Sequence, residues 1–326
     1  MTDRTTKSEL LQGWRFRLLV LSVLITAIGY LGISLFGGWD DVLSAVAEIG
    51  APIVIVSLLL SLVNYYLRFV RWHSYLSYLG YSLAQKKHLQ IYLSGFALTA
   101  TPGKAGEALR SVLLEPLGVR YTDSLAALLS ERLSDIIAVL LLSSLVFFLF
   151  PDYYFVGLFF AGACLILLLL LQRAPQDWVL SRAAKSSGRL SLGLTKFVGI
   201  LSQARTCNPP HLIVSGLALG LLAWSAEGFA FWLMLEQVDA DVSLALAISI
   251  YCLSMLAGAA SFMPGGVGGA EAAMAAMLAI LGVPLHVAIA VTLAIRVATL
   301  WFAVFIGLML LFPLMKSHHP QDHSDA

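Results

Sequence analysis

Six long apolar runs, at 18–36, 51–70, 122–150, 153–172, 211–236 and 285–314, restrict this chain more than any other feature. A hydrocarbon core about 30 Å thick is crossed by about 20 apolar residues wound as a helix, and each run is of that order. Inside lipid every backbone N–H and C=O must find its partner within the protein, so runs of this length read as spanning helices. Composition agrees, with 59% hydrophobic and 12% charged residues and a mean hydropathy of +0.86. A soluble domain carries about 25% charged residues. A net charge of +1 offers no bulk attraction for nucleic acid, so charge has to be read by its position along the chain.

Two further apolar stretches are interrupted. The stretch 88–116 is broken at Thr101-Pro102-Gly103, and 243–282 at Met263-Pro264-Gly265-Gly266. Proline lacks a donor and glycine unwinds cheaply, so such a break survives at membrane depth only where protein or a wet cavity satisfies the freed groups. Each stretch therefore reads as two helical arms joined at a break. The expected fold is an all-α polytopic membrane protein with six full transmembrane helices and two broken hairpins. The arm from His88 to Thr101 is short for a span, whereas length leaves open whether 243–282 spans or re-enters.

Lysine and arginine in short loops accumulate on the cytoplasmic side of a membrane. With the N-terminus inside, the loops 37–50, 150–153, 237–242 and 283–285 fall outside and hold no Lys or Arg. Lys86, Lys87, Arg120, Lys316 and the basic loop 173–210 then fall inside. The resulting map has a cytoplasmic segment 1–17, one transmembrane domain 18–314 and a disordered cytoplasmic tail 315–326. Arg4, Lys7, Arg15 and Arg17 precede the first run as in a signal peptide, but no small-residue cleavage site follows, so this run is expected to be an uncleaved span.

The two breaks are followed by related sequences. Pro102-Gly103-Lys104-Ala105-Gly106-Glu107 belongs to a half at about 51–150, and Pro264-Gly265-Gly266-Val267-Gly268-Gly269-Ala270-Glu271 to a half at about 211–314. Glu107 precedes Arg132 by 25 residues, and Glu271 precedes Arg296 by 25. On the topology above, the hairpins enter from opposite sides, which makes the halves an inverted repeat with a binding site near the midplane. A helix that starts after such a break presents free N–H groups and its positive dipole end, which suits phosphate or carboxylate. Lys104 and the break glycines would line that approach.

Glu107, Arg110, Glu131, Arg132, Asp135, Glu227, Glu271 and Arg296 lie in or beside apolar runs. A charge there costs a few kcal/mol unless it is paired or wet, so each is a functional candidate. Glu131, Arg132 and Asp135 share one helix stripe, expected to face the bundle interior. The competing reading is structural: Glu107–Arg132 and Glu271–Arg296 would be ion pairs that fix hairpins to helices. Arg68 and Arg71 are expected to snorkel or meet lipid headgroups, with substrate contact as the alternative. His73, His88, His211 and His286 fit interfacial positions, and Tyr65, Tyr66, Trp72, Trp224, Trp232 and Trp301 fit an interfacial belt or helix packing. Cys164, Cys207 and Cys252 form no CxxC pair and read as packing residues. No metal site or cofactor is expected, and the His-rich tail 318–323 reads as solvated chain.

At Arg68-Phe69-Val70-Arg71-Trp72, Thr101 to Arg110, Glu131-Arg132-Leu133-Ser134-Asp135 and Pro264 to Glu271, the chain resembles the flippase-like transmembrane family that includes the membrane region of lysylphosphatidylglycerol synthases. The resemblance covers nearly the whole chain. It implies a domain that translocates lipids or supports lipid-linked sugar or aminoacyl-lipid metabolism. A soluble lysine-transfer domain is expected to be absent, because only a short tail follows Lys316.

The expected function is translocation of a phospholipid or lipid-linked phosphate across a bacterial-type inner membrane, with both termini cytoplasmic. The cargo would be an anionic phospholipid, an aminoacyl lipid or a polyprenyl phosphate. Arg132, Arg296 and hairpin N–H groups would hold the headgroup, and Glu107 or Glu271 could carry a proton. The alternatives are a membrane-embedded transferase with Glu131, Asp135 or Glu107 as base, and a scaffold for a lipid-modifying enzyme. A homo-oligomer is compatible with either. No catalytic residue is assigned.

Overall fold

The computed structural model describes residues 39–99, 105–149, 154–170, 204–261 and 263–316. The expected span 18–36, most of the loop 173–210, the break residues Pro102, Gly103 and Lys104, and the tail from 317 lie outside the described residues. Within them all regular structure is helical. The helices are α1 (Trp39–Tyr78), α2 (Gln85–Ser94), α3 (Ala105–Leu114), α4 (Tyr121–Ser143), α5 (Leu145–Leu149), α6 (Tyr154–Leu170), α7 (Pro210–Gln237), α8 (Leu244–Ala260), α9 (Gly269–Ile280), α10 (Leu285–Arg296) and α11 (Phe302–Lys316).

Among the described residues three segments are long and apolar enough to cross a bilayer: Leu43–Tyr78, Pro210–Gln237 and Leu285–Leu314. The last joins α10 to α11 through a π-helical turn at Val297–Trp301. The expected outside loop 37–50 is helical from Trp39, and α1 kinks at Gly50, whose φ is 70°. Pro52 follows the kink in the first turn of the resumed helix, where its missing N–H has no partner to lose. The apolar run 122–150 divides into α4 and α5 at Ser144. α4 has 23 residues, about 35 Å by helical rise, but carries Glu131, Arg132 and Asp135 along its length.

The molecule is apolar outside and charged within. Phe155 and Phe159 on α6, one turn apart, are 80% and 73% exposed, and Phe305, Met309 and Phe312 form a similar outward stripe on α11. Arg71, Arg110, Glu131, Asp135, Glu227, Glu271 and Arg296 are buried. A soluble protein shows the opposite arrangement, whereas lipid tails solvate such a surface without cost.

In both interrupted stretches helix stops and resumes, and the two arms pack against each other. In the first, α2 passes into a 3-10 turn at Gly95–Leu98, and helix resumes at Ala105. In the second, α8 ends at Ala260, a 3-10 turn follows at Pro264–Gly266, and α9 starts at Gly269. α3 with 10 residues and α9 with 12 are about 15 and 18 Å long, well short of a hydrocarbon core.

Each hairpin has its own apolar core. The first packs with the C-terminal part of α1 (Tyr65 to Leu76), the start of α4 (Ala126 to Leu128) and the end of α11. The second packs with Ile49 at the other end of α1, Val139 and Leu142 farther along α4, and α7 and α10. The hairpins therefore sit toward opposite ends of α1 and α4. Glycines allow the tightest approaches. A Cβ at Gly307 of α11 would collide with the backbone of Phe96 and Ala97, and one at Gly258 of α8 would lie 2.8 Å from Ala270 Cβ of α9.

Candidate functional site

Between the two cores, four guanidiniums meet two carboxylates. Glu131 and Asp135 project from adjacent turns of α4, as their spacing requires. Arg71 Nη2 donates to Asp135 Oδ1 at 2.5 Å, and Arg68 Nη2 lies 3.2 Å from Asp135 Oδ2 and 3.4 Å from Glu131 Oε1. Arg110 Nη1 reaches Glu131 Oε2 at 3.1 Å, and Arg132 Nη2 lies 3.2 Å from both carboxylates. Tyr92 Oη donates to Glu131 Oε1 at 2.6 Å, and Trp224 Nε1 to Asp135 Oδ1 at 3.2 Å.

Two arginines are held by their surroundings as well as by charge. Arg110 lies 3.9 Å above the Tyr92 ring centre and donates from Nε to the Tyr92 carbonyl. Gly95 leaves the space for it, since a Cβ there would lie 2.5 Å from Arg110 Nε. Arg71 also donates to Ser134 Oγ and, at 3.5 Å, to the Gly216 carbonyl of α7. The snorkelling expected of Arg68 and Arg71 is therefore corrected. Both point inward, because the acidic stripe of α4 lies opposite them and a paired buried charge costs less than an isolated one.

The second half has a smaller arrangement. Glu271 accepts from the Gly268 N–H at the start of α9 and from Arg296 Nε of α10, each at 2.5 Å. Arg296 Nη2 donates to the Gly265 carbonyl at 3.3 Å. Glu271 thus caps its helix and ties the hairpin break to α10. Gly266 and Gly268 adopt φ of 70° and 86°, which a side chain disfavours, so the tight turn depends on glycine.

A cavity of about 360 Å³ lies between the end of the Gly95–Leu98 turn and the break of the second hairpin. Thr99 borders it from the first hairpin, and Gly265, Gly266 and Ala270 from the second. Arg68, Arg132 and Arg296 enter its wall from α1, α4 and α10 beside Asp135 and Glu227, and Ile136, Val139, Met255, Leu256 and Leu300 supply apolar surface. The volume is about a dozen waters at about 30 Å³ each, room for a phosphate with further headgroup atoms.

Of the residues singled out from sequence, the structure gathers Arg110, Glu131, Arg132 and Asp135 into the central cluster and joins Glu271 to Arg296 across the predicted 25 positions. Gly265 and Gly266 line the cavity, while Gly268, Gly269 and Pro264 shape the second tip. Gly106 and Glu107 fall on α3, with the Glu107 side chain outside the described set. Tyr92, Trp224 and Tyr251 were not foreseen in this setting, and polar contacts of aromatic residues leave no spacing signal. His88 is fully buried, not interfacial: it accepts from Trp72 Nε1 and shares a 2.8 Å contact with His73. All three cysteines are buried and free.

These features define a multi-pass helical membrane protein with a charged cavity inside an apolar shell. A family model described as the lysylphosphatidylglycerol synthase TM region matches residues 11–307, and the chain belongs to that family. It is also similar to a protein named UPF0104 membrane protein from Methanothermobacter thermautotrophicus, 24% identical over 324 residues that cover 90% of this chain and 91% of the relative.

Proposed function

We propose that the protein is a lipid translocase whose cargo carries a phosphate, the phosphate resting in the charged cavity while the acyl or prenyl tails stay in the bilayer. The observation that carries this reading is the entry of Arg68, Arg132 and Arg296, from three different helices, into one cavity of a protein with an apolar exterior. Each arginine costs about 2.5–3.5 kcal/mol at membrane depth on insertion scales. Ion pairs with Glu131, Asp135 and Glu271 offset part of that cost, and the convergence of all three on one open space is what an anionic headgroup would use. The start of α9 beside the cavity adds the positive end of a helix dipole.

The hairpins, lodged toward opposite ends of α1 and α4, support an inverted repeat with re-entrant hairpins. Exchange between leaflets then follows from rocking one half against the other about the cavity. The distribution of Lys and Arg supports cytoplasmic termini in a bacterial-type inner membrane. A transporter fits better than a transferase, because Glu131 and Asp135 each accept several donors and offer no free base to a substrate.

The test is leaflet exchange in liposomes holding headgroup-labelled anionic phospholipid, aminoacyl lipid or polyprenyl phosphate, with wild-type protein and Arg132→Ala. One lipid class should exchange, and the variant, monodisperse by gel filtration, should fall to the protein-free rate. Exchange at the wild-type rate by the variant would remove the cavity from the mechanism.

A further inference from the structure

Glu227 of α7 is the buried carboxyl that the central cluster leaves aside. It lines the cavity at 6% exposure, and Tyr251 Oη donates to its Oε2 at 2.8 Å. No arginine or lysine among the described residues lies within ion-pairing distance of it. The other buried carboxylates of the interior behave differently: Glu131, Asp135 and Glu271 are each in direct contact with at least one guanidinium. Glu271 has both oxygens engaged, by the Gly268 N–H and by Arg296, so it offers no site for a proton without breaking the hairpin clamp.

We infer that Glu227 takes up a proton when an anionic headgroup enters the cavity and releases it when the headgroup leaves, so that lipid and proton cross together. This rests on the translocase reading. Glu227 faces Tyr65 and Arg68 from α1, Arg132 and Asp135 from α4, Tyr251 and Cys252 from α8 and Arg296 from α10. The cavity arginines attract either anion, the Glu227 carboxylate or the phosphate. With both present, two negative charges share one poorly solvated space, and like charges so placed drive proton uptake by one of them.

The proton comes from water in the cavity and bonds to a Glu227 carboxylate oxygen. The proton donor is a hydronium ion of the cavity water, one of whose O–H bonds breaks to leave neutral water, and the Tyr251 hydroxyl stays the hydrogen-bond donor to the other carboxylate position. The neutral acid beside the bound phosphate leaves the charge of the site unchanged, so a singly charged lipid crosses without moving net charge. By linkage, a bound proton strengthens headgroup binding by the same factor that the headgroup strengthens proton binding. The position of Glu227 supports such coupling. Gly228, the next residue, brings α7 so close to α8 that a Cβ would lie 2.9 Å from Ile248 Cγ1, and the Glu227–Tyr251 hydrogen bond joins these two packed helices.

The test uses Glu227→Gln, which keeps an acceptor for Tyr251 and cannot titrate. Proteoliposomes with a headgroup-labelled monoanionic phospholipid are given a gradient of one pH unit, and the label is counted in each leaflet at steady state. One proton per lipid shifts the ratio about tenfold toward the alkaline side. The wild-type protein should show the shift, and Glu227→Gln should lose it, whatever its exchange rate. A second readout does not need transport: in detergent, a short-chain phosphatidic acid should produce a protonated-carboxyl infrared band in the wild type that Glu227→Gln lacks. Persistence of either signal in the variant overturns the inference. Wild-type exchange without a gradient-driven shift also overturns it and leaves the translocase reading standing. No wild-type exchange of any lipid removes both.

Discussion

Glu131 shows how tightly single residues are committed in this interior. One carboxylate accepts from Tyr92 and contacts Arg68, Arg110 and Arg132 while fully buried. Removing one member of such a group leaves the others desolvated and unmatched, at a cost of about 3–5 kcal/mol. Glu131→Gln should therefore melt well below the wild type in detergent, followed by tryptophan fluorescence. Arg120→Ala, which removes a solvent-exposed partner from Asp123, should melt with the wild type. Equal losses in both would mean that burial does not decide the weight of these pairs. The candidates were legible because a charge in an apolar run is conspicuous. Their partners were not. Arg68 and Arg71 sit at the polar end of an apolar run, where sequence alone cannot separate an outward from an inward orientation; only the packing of α1 against α4 does.

Among the elements, the breaks were the most legible. Pro-Gly pairs inside apolar runs announced both interruptions, and the helices stop and resume around them. The kink at Gly50 and the helix before it were hidden, because Asp40, Asp41 and Glu48 gave that segment the composition of a loop. The π-helical turn after Arg296 leaves no mark in the apolar pattern of 285–314 either, since one extra residue in a turn changes pitch rather than hydropathy. Close helix contacts carry their own prediction. Gly307→Leu would drive α11 away from the Gly95–Leu98 turn, an overpacking that costs about 1–3 kcal/mol or more. It should expose the first hairpin to trypsin while leaving helical circular dichroism near wild type. Unchanged digestion would mean that this contact does not hold the hairpin.

For the whole molecule, hydropathy was enough to establish a helical membrane protein, because lipid imposes one rule on every spanning segment. The same rule concealed what the interior does. Long apolar helices meet lipid and one another with the same residues, so the run pattern cannot say which face turns inward. The structure adds that Thr99 of the first hairpin and Gly265 and Gly266 of the second border one cavity and that its charged wall draws on both halves of the chain. An account of the protein as a lipid translocase depends on that cavity receiving a headgroup.

The most direct measurement places a photoreactive side chain at position 136, on the cavity wall, or at position 305, on the outward stripe of α11, and irradiates each protein in bilayers with a lipid labelled at its phosphate-bearing headgroup. The account predicts headgroup crosslinks at 136 that excess unlabelled lipid of the same headgroup competes away, with none competed at 305. Equal, uncompeted labelling at the two positions would contradict it.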